Sequence, residues 1–302
     1  MTMDATLAHE GDTSFEADLG RRRLQRLRAH LNPGVVFAGI VLLVVLACVA
    51  VPAWITPGDP NTLDLSARLL GPGSPGHFLG TDPLGHDVGR LIVDGTRLSI
   101  SIAIAAVALS CAIGVVLGLV SGYAGGWVEA VIMRWTDIQL SFPFILLAIL
   151  VLTLFGGGIA NLIIVLAITG WMDYARVVRS QVLSTKERDY VLAARAMGVG
   201  SIGMLRRHIF PSVVSSIIVL ATLNTSINIL FEAALTFLGL GISPETPTWG
   251  GMLSDGRVYL STAWWIATFP GLAIMFTALA INIMGDWLRD TLDPHLSRAG
   301  RA

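Results

Sequence analysis

Six long apolar runs constrain the fold of this chain more than any other feature of its sequence. They cover about residues 33–55, 98–122, 138–155, 159–172, 212–231 and 263–285, and the fourth extends toward residue 178. About 20 apolar residues are needed to cross the hydrocarbon core of a bilayer. Because every backbone amide must find a partner inside the segment, such runs cross as helices. The sequence therefore predicts an all-α, polytopic membrane protein with six transmembrane helices.

The composition supports this class and excludes others. Hydrophobic residues make up 54% of the 302 positions and charged residues 14%, whereas soluble domains carry about 25% charged residues. A water-soluble enzyme and a disordered chain are therefore excluded. The net charge of −1 gives no basis for a nucleic-acid partner.

The basic residues predict that both termini lie in the cytoplasm. With the N-terminus inside, the inner segments hold 16 of the 20 Lys and Arg residues, as the positive-inside rule requires. The cytoplasmic tail, residues 1–32, contains a basic amphipathic segment in which Leu24, Leu27 and Leu31 share one face. This segment either lies on the inner membrane surface among the lipids or only fixes the topology. Residues 33–97 then form the first span and an outer loop, and residues 98–302 form a core domain with five spans.

The spans show no catalytic or ion-conducting chemistry. Asp173, Glu232 and Asp286 fall near predicted span ends, whereas proton and ion pathways usually place charges within spans. The sequence contains no nucleophile elbow and no metalloprotease motif, and its single lysine, Lys186, follows no P-loop. A secondary transporter or a membrane enzyme is therefore disfavoured. We expect a non-catalytic chain that binds no cofactor, with any nucleotide chemistry supplied by another subunit.

The inner loop of residues 179–211 is predicted to be a docking element. Residues 190–197 contain three alanines and suit a short helix, which Gly198 would end as a left-handed C-cap. Pro211 suits the first turn of the next span. A small alanine-rich helix allows a partner to approach closely, and the surrounding arginines can pair with its carboxylates.

This loop resembles the E-A-A-x3-G-x9-I-x-L-P coupling motif of ABC-importer permeases. Leu192-Ala193-Ala194 stands in the E-A-A position, and Gly198 and the segment ending at Pro211 match the rest. The sequence departs from the motif at Leu192, which replaces the glutamate. The resemblance implies contact with an ATPase through the following set: Tyr190, Leu192, Ala193, Ala194, Arg195, Gly198, His208 and Pro211.

Two further segments resemble the C-type subunits of dipeptide and oligopeptide ABC importers. Residues 80–87 look like the G-T-D-x-x-G-R-D signature of these subunits, with His86 in place of the arginine. Residues 232–250, which include Trp249, also match. The resemblance covers about residues 33–295.

The resemblance implies a fold, partners and a function. The fold is that of a type I ABC-importer permease in the bacterial cell membrane. The partners are a homologous B-type permease, an extracytoplasmic solute-binding protein, and cytoplasmic ATPases, separate or fused, that hold ATP and Mg. The cargo is a peptide, with a nickel chelate, glutathione or another small solute as the alternative. ATPase closure would drive alternating access through the helix of residues 190–198.

Several polar residues have two possible roles. Asn224, Asn228 and Asn282 lie inside spans, where amides either bond between helices or line a substrate path. In the outer loop, Asp82, His86, Asp87 and the more distant Trp249 would brace the fold or meet the binding protein. Carboxylates flanked by Gly and Pro more often hold turns than metals, so no metal site is expected.

Two packing features are also predicted. Gly114, Gly118 and Gly122 repeat every fourth residue and would allow close helix contact. Pro143, early in the third span, would kink it.

Overall fold

The computed structural model describes residues 32–55, 63–243 and 245–292. The predicted amphipathic segment of the tail lies outside these residues. Regular structure in the described part is helical, apart from two isolated bridges in the outer loop. The helices are α1 (Pro33–Ala50), α2 (Pro52–Ile55), α3 (Val88–Ala124), α4 (Gly126–Leu140), α5 (Phe144–Phe155), α6 (Ile159–Thr185), α7 (Asp189–Ala196), α8 (Ser201–Met204), α9 (Phe210–Phe237), α10 (Trp249–Gly256) and α11 (Trp265–Leu292). Short 3-10 turns cover Leu65–Ala67 and Arg257–Tyr259, and a π-turn covers Leu205–Ile209.

The number of spans agrees with the prediction when one bent pair is counted as a single span. In the described ranges, five helices are long and apolar enough to cross a membrane, namely α1, α3, α6, α11 and α9 with the turns before it. The sixth span is the pair α4 and α5, which meet at an angle of 88°. The predicted kink in the third span is therefore confirmed, and the span begins at Gly126, before the predicted start at residue 138. The break lies at Pro143, which has no amide hydrogen and disfavours a helical conformation in the residue before it.

The helices extend beyond the apolar runs. α3 begins at Val88, well before the predicted start, because the Asp87 side chain caps it by accepting a 2.9 Å hydrogen bond from the Arg90 amide. α6 continues to Thr185, so the first residues of the predicted coupling loop 179–211 are helical. Hydropathy marks the apolar part of a span, whereas a helix continues until its backbone groups are capped.

α3 and α6 form the closest pair of spans, and the three predicted glycines explain why. A Cβ atom added at Gly114 would lie 2.2 Å from the Trp171 carbonyl oxygen, and one at Gly118 would lie 2.7 Å from the Ala175 oxygen. Gly122 is equally crowded by α6. Because only glycine permits this approach, the prediction that these residues serve packing is confirmed.

Candidate functional site

The predicted coupling helix is present as α7, and its C-terminus has the expected geometry. Gly198 adopts a φ of +82°. Its amide donates to the Arg195 oxygen at 3.0 Å, and the Val199 amide donates to the Ala194 oxygen at 3.2 Å. This pair of bonds is a Schellman motif, which satisfies the last carbonyls of the helix. The predicted left-handed C-cap at Gly198 is therefore confirmed.

α7 has an apolar face that packs inside the chain and a second face that is exposed. Val191 and Ala194 are buried against Met204 and Ile209, and this cluster continues into α3 and α6. Ala194 is 1% exposed. Its side chain therefore supports α7 from inside the chain, and its expected role as a contact with the ATPase is corrected.

Three large apolar side chains of α7, its C-cap and the following helix α8 are exposed. Leu192 is 47% exposed, Met197 78% and Ile202 74%. Ala193 and Arg195 lie on the exposed part of the same helix. Large apolar side chains that project together into water are typical of protein–protein contact sites.

A side-chain hydrogen bond and a wide backbone turn shape the segment between α7 and α9. The Tyr190 hydroxyl donates to the backbone oxygen of His208 at 3.3 Å, so the imidazole plays no part in that bond. Pro211 lies in the first turn of α9, as predicted. Because Pro211 cannot donate a hydrogen bond, the preceding turn widens to a π-turn, in which the Phe210 amide bonds to the Leu205 oxygen.

Polar contacts that the sequence analysis missed connect α4 to α6. Arg176 donates to the Asp137 carboxylate at 2.6 Å, and Arg179 donates from its Nε to Glu129 at 2.7 Å. These two arginines lie on the part of α6 that leads into the coupling loop. Movement of α7 can therefore reach α4 through α6. The signal in the sequence is two acidic residues, Glu129 and Asp137, between otherwise apolar runs.

Gln139 adds a third connection between the same helices. Its Nε2 donates to the Ile168 oxygen, and its Oε1 accepts a 3.0 Å hydrogen bond from the Trp171 ring. Gln139 lies just before the break between α4 and α5. The broken span is therefore anchored to α6 at the point where it bends.

A cavity of about 360 Å³ lies at this break. Its walls come from α6, α9, one residue of α3 and the junction of α4 and α5. An aromatic pair, Phe144 and Phe231, stacks on one side with ring centroids 3.9 Å apart. The polar residues on the wall are Ser110, Gln139, Thr169, Asp173, Asn224 and Asn228.

The three predicted pathway asparagines do not come together. Asn224 and Asn228 lie one turn apart on α9 and line the cavity. Asn282 instead accepts a 2.6 Å hydrogen bond from Ser226 between α9 and α11. This bond fits the packing role that the sequence analysis gave as one of two alternatives, and a place on the pathway remains a prediction for Asn282.

Asp173 follows directly on the apolar run that ends at Met172 and lies on the cavity wall. α6 continues for more than three turns beyond it, so the end of the apolar run is not the end of the helix. Glu232 likewise lies inside α9, where it is fully buried and accepts a 3.1 Å hydrogen bond from Thr236.

In the outer loop, the predicted carboxylates hold turns. Asp82 accepts 2.8 Å hydrogen bonds from the Leu84 and His86 amides and contacts the His86 ring at 2.8 Å. Asp87 caps α3 and contacts the His77 ring at 2.8 Å. Their predicted structural role is confirmed. Contact with a binding protein remains a prediction for these residues.

Trp249 does not face the outside. Its side chain is 1% exposed, and its ring nitrogen donates to the Ile92 oxygen at 3.1 Å. The prediction that it contacts a binding protein is wrong, because the side chain fixes α10 against α3.

Residues 114–298 match the family described as the binding-protein-dependent transport system inner membrane component. The chain belongs to this family. The match includes the coupling loop, most of the cavity wall and the helices that connect them.

Relatives that are named for a transported solute are similar to this chain along most of their length. A di/tripeptide transport system permease protein from Pseudomonas aeruginosa is 39% identical over 276 residues, covering 90% of this chain and 91% of the relative. A glutathione transport system permease protein from Pectobacterium atrosepticum is 41% identical, covering 89% of each. A nickel transport system permease protein from Escherichia coli is 39% identical, covering 85% of this chain and 93% of the relative.

Membership of this family confirms the predicted resemblance to dipeptide ABC-importer permeases and the type I permease fold. The chain is a multi-pass permease subunit of the bacterial inner membrane, in a family of importers that work with ATPase and binding-protein partners.

Proposed function

We propose that the chain is one half of a peptide-conducting heterodimer, completed by a homologous B-type permease and driven by ATPases that dock on α7. In this proposal ATP and Mg are held by the partner ATPases, separate or fused, and this chain carries out no catalysis. The exposure of three large apolar side chains, Leu192, Met197 and Ile202, is the observation that carries the proposal. Leu192 lies on α7 and Met197 at its C-cap, and Ile202 lies on α8.

The contacts described above suggest how the movement is transmitted. ATPase closure would shift α7, whose buried face is continuous with α3 and α6. The ion pairs of Arg176 and Arg179 would transmit the shift of α6 to α4, which ends at the cavity. Nucleotide binding would thereby favour one of two arrangements of the broken span, through its different affinity for each.

A peptide is the cargo that the cavity fits best. Backbone amides of a peptide present donors and acceptors, and the side chains of Asn224 and Asn228 offer both. Phe144 and Phe231 give an apolar surface for a peptide side chain. Glutathione, a nickel chelate or another small solute is the alternative, since relatives are named for the first two.

The docking surface is tested by Met197→Glu in the complete importer, reconstituted with its binding protein in proteoliposomes. A charge at the centre of an apolar contact should lower binding-protein-stimulated ATP hydrolysis roughly tenfold, the equivalent of about 1.4 kcal/mol. Met197→Leu is the matched control, because it keeps an apolar side chain at the same exposed position.

The two variants give a clear decision. Normal membrane abundance with reduced hydrolysis in Met197→Glu, and normal hydrolysis in Met197→Leu, would support docking at α7. Full hydrolysis and uptake in Met197→Glu would contradict it. Uptake of a radiolabelled dipeptide by the unmodified importer tests the cargo separately.

A further inference from the structure

The part of the cavity wall that the structure describes carries one ionisable side chain, Asp173, and that side chain has no hydrogen-bonded partner there. Asp173 is the only acidic or basic residue among the lining residues. It makes no hydrogen bond or ion pair within the described ranges, and the arginine one turn later, Arg176, is bonded to Asp137 at 2.6 Å. Arg176 attracts the Asp173 carboxylate from a distance, but the carboxylate oxygens have no hydrogen-bonded partner in the described part of the chain and can accept hydrogen bonds from a ligand in the cavity.

A second polar group on the same wall also lacks a partner. The Asn224 side chain is 8% exposed, and its amide nitrogen makes no hydrogen bond of acceptable geometry in the described part of the chain. The neighbouring polar group is the buried Tyr174 hydroxyl of α6, which also lacks a well-formed hydrogen bond. A buried donor without an acceptor is unfavourable. Gln139 on the same wall is different, because both ends of its amide are already bonded to α6. Asn224 is therefore available to a ligand in a way that Gln139 is not.

The two free groups have opposite hydrogen-bonding characters. The Asp173 carboxylate accepts hydrogen bonds and attracts a cation, whereas the Asn224 nitrogen donates to a carbonyl. A peptide with a free N-terminus carries an ammonium and, directly after it, a carbonyl oxygen. The stacked rings of Phe144 and Phe231 provide the apolar part of the same cavity.

We propose that this cavity recognises the N-terminal end of a peptide, with Asp173 binding the ammonium group and Asn224 the first carbonyl. This inference rests on the proposed peptide-conducting function and makes it more specific. Such a cavity would bind peptides with a free N-terminus more tightly than N-blocked peptides.

The chemistry of the wall favours an ammonium over a metal ion. Ca²⁺ takes six to eight oxygen ligands, and nickel and similar ions prefer imidazole or thiolate donors. The lining residues of this chain include one carboxylate and no His or Cys. The cavity volume of about 360 Å³ lies at the lower end of the range for small-molecule sites, which suits a short peptide.

The test measures peptide binding to the complete importer, purified without its binding protein so that the binding protein does not impose its own selection. The probes are a radiolabelled dialanine and its N-acetylated form. The unmodified importer should bind dialanine at least tenfold more tightly than the acetylated peptide. Asp173→Asn should abolish this preference by weakening dialanine alone, and Asp173→Glu should restore part of it. Asn224→Leu should weaken both peptides.

Asp137→Asn is the matched control, because this carboxylate pairs with Arg176 and does not line the cavity. It should leave the ratio between the two peptides unchanged. An unchanged ratio in Asp173→Asn, or equal weakening of both peptides, would overturn the inference. Dipeptide uptake by the unmodified importer separates the two hypotheses, since loss of uptake would contradict the peptide function itself.

Discussion

α6 contacts its two neighbours in opposite ways, and the difference shows which parts of the molecule are fixed. Toward α3 it packs against glycines, with backbone atoms in direct contact at Gly114 and Gly118. Toward α4 it is held by side-chain ion pairs to Glu129 and Asp137, and next to these a cavity remains open.

The two contacts respond differently to displacement. Close backbone packing depends on shape and is lost when helices separate by a fraction of an ångström. Long side chains such as arginine can keep an ion pair through a change of rotamer. We infer that α3 and α6 move as one unit, and that α4, anchored to α6 through Gln139 at its end, can tilt about this anchor relative to them.

The largest effect is expected when the glycine contact is broken. Gly118→Leu would place a side chain where a Cβ atom alone already lies 2.7 Å from the Ala175 oxygen and 2.8 Å from the Val178 Cβ. Overpacking of this kind costs about 1–3 kcal/mol or more. Membrane abundance and the thermal unfolding temperature of the purified importer should both fall.

Gly39→Leu is the control for this substitution, because nothing lies within 4 Å of a Cβ atom at Gly39 on α1. Equal loss of stability in the two variants would show that α3 and α6 do not depend on glycine contact.

An intermediate effect is expected when the polar contact is broken. Arg179→Ala removes the tie between α6 and Glu129 while leaving the glycine contact intact. The pair is partly exposed, so stability should change by about 1 kcal/mol or less. Coupling should suffer more, and ATP hydrolysis should become less dependent on the loaded binding protein.

The measurement is the ratio of ATP hydrolysis with and without binding protein. The charge-swapped double variant, Arg179→Glu with Glu129→Arg, should recover part of this ratio. A normal ratio in Arg179→Ala would show that the ion pair between Arg179 and Glu129 does not contribute to coupling.

The smallest effect is expected at the end of α7, where a substitution can change the backbone conformation without changing any side-chain contact. Gly198→Ala adds a Cβ atom with nothing within 4 Å, but at a φ of +82°, which costs about 1 kcal/mol for a residue other than glycine. Stimulated ATP hydrolysis should fall by a factor of about five or less.

Gly200→Ala is the matched control, because its surroundings are equally open and its φ is −67°. Hydrolysis in this control should be normal. If the two variants behave alike, the conformation of the C-cap does not contribute to coupling.

Sequence reasoning performed well where the property is local. The break at Pro143, the cap at Gly198 and the turns around Asp82 follow from the chemistry of single residues and their near neighbours. The sequence-based predictions were wrong where the role of a residue depends on whether its side chain is buried. Ala194 and Trp249 were predicted to be contact residues, yet both are 1% exposed.

The sequence alone establishes a helical membrane protein with six predicted spans, a short capped helix on its inner side and membership of a permease family. These properties follow from the sequence because a backbone amide finds no hydrogen-bond partner in lipid, and because caps and motifs consist of consecutive residues. The tertiary structure alone shows that Asp173 and Asn224 share a wall while Asn282 does not. That arrangement depends on how each helix is rotated about its axis, and the rotation is set by packing between residues far apart in the chain, above all at the α3 glycines.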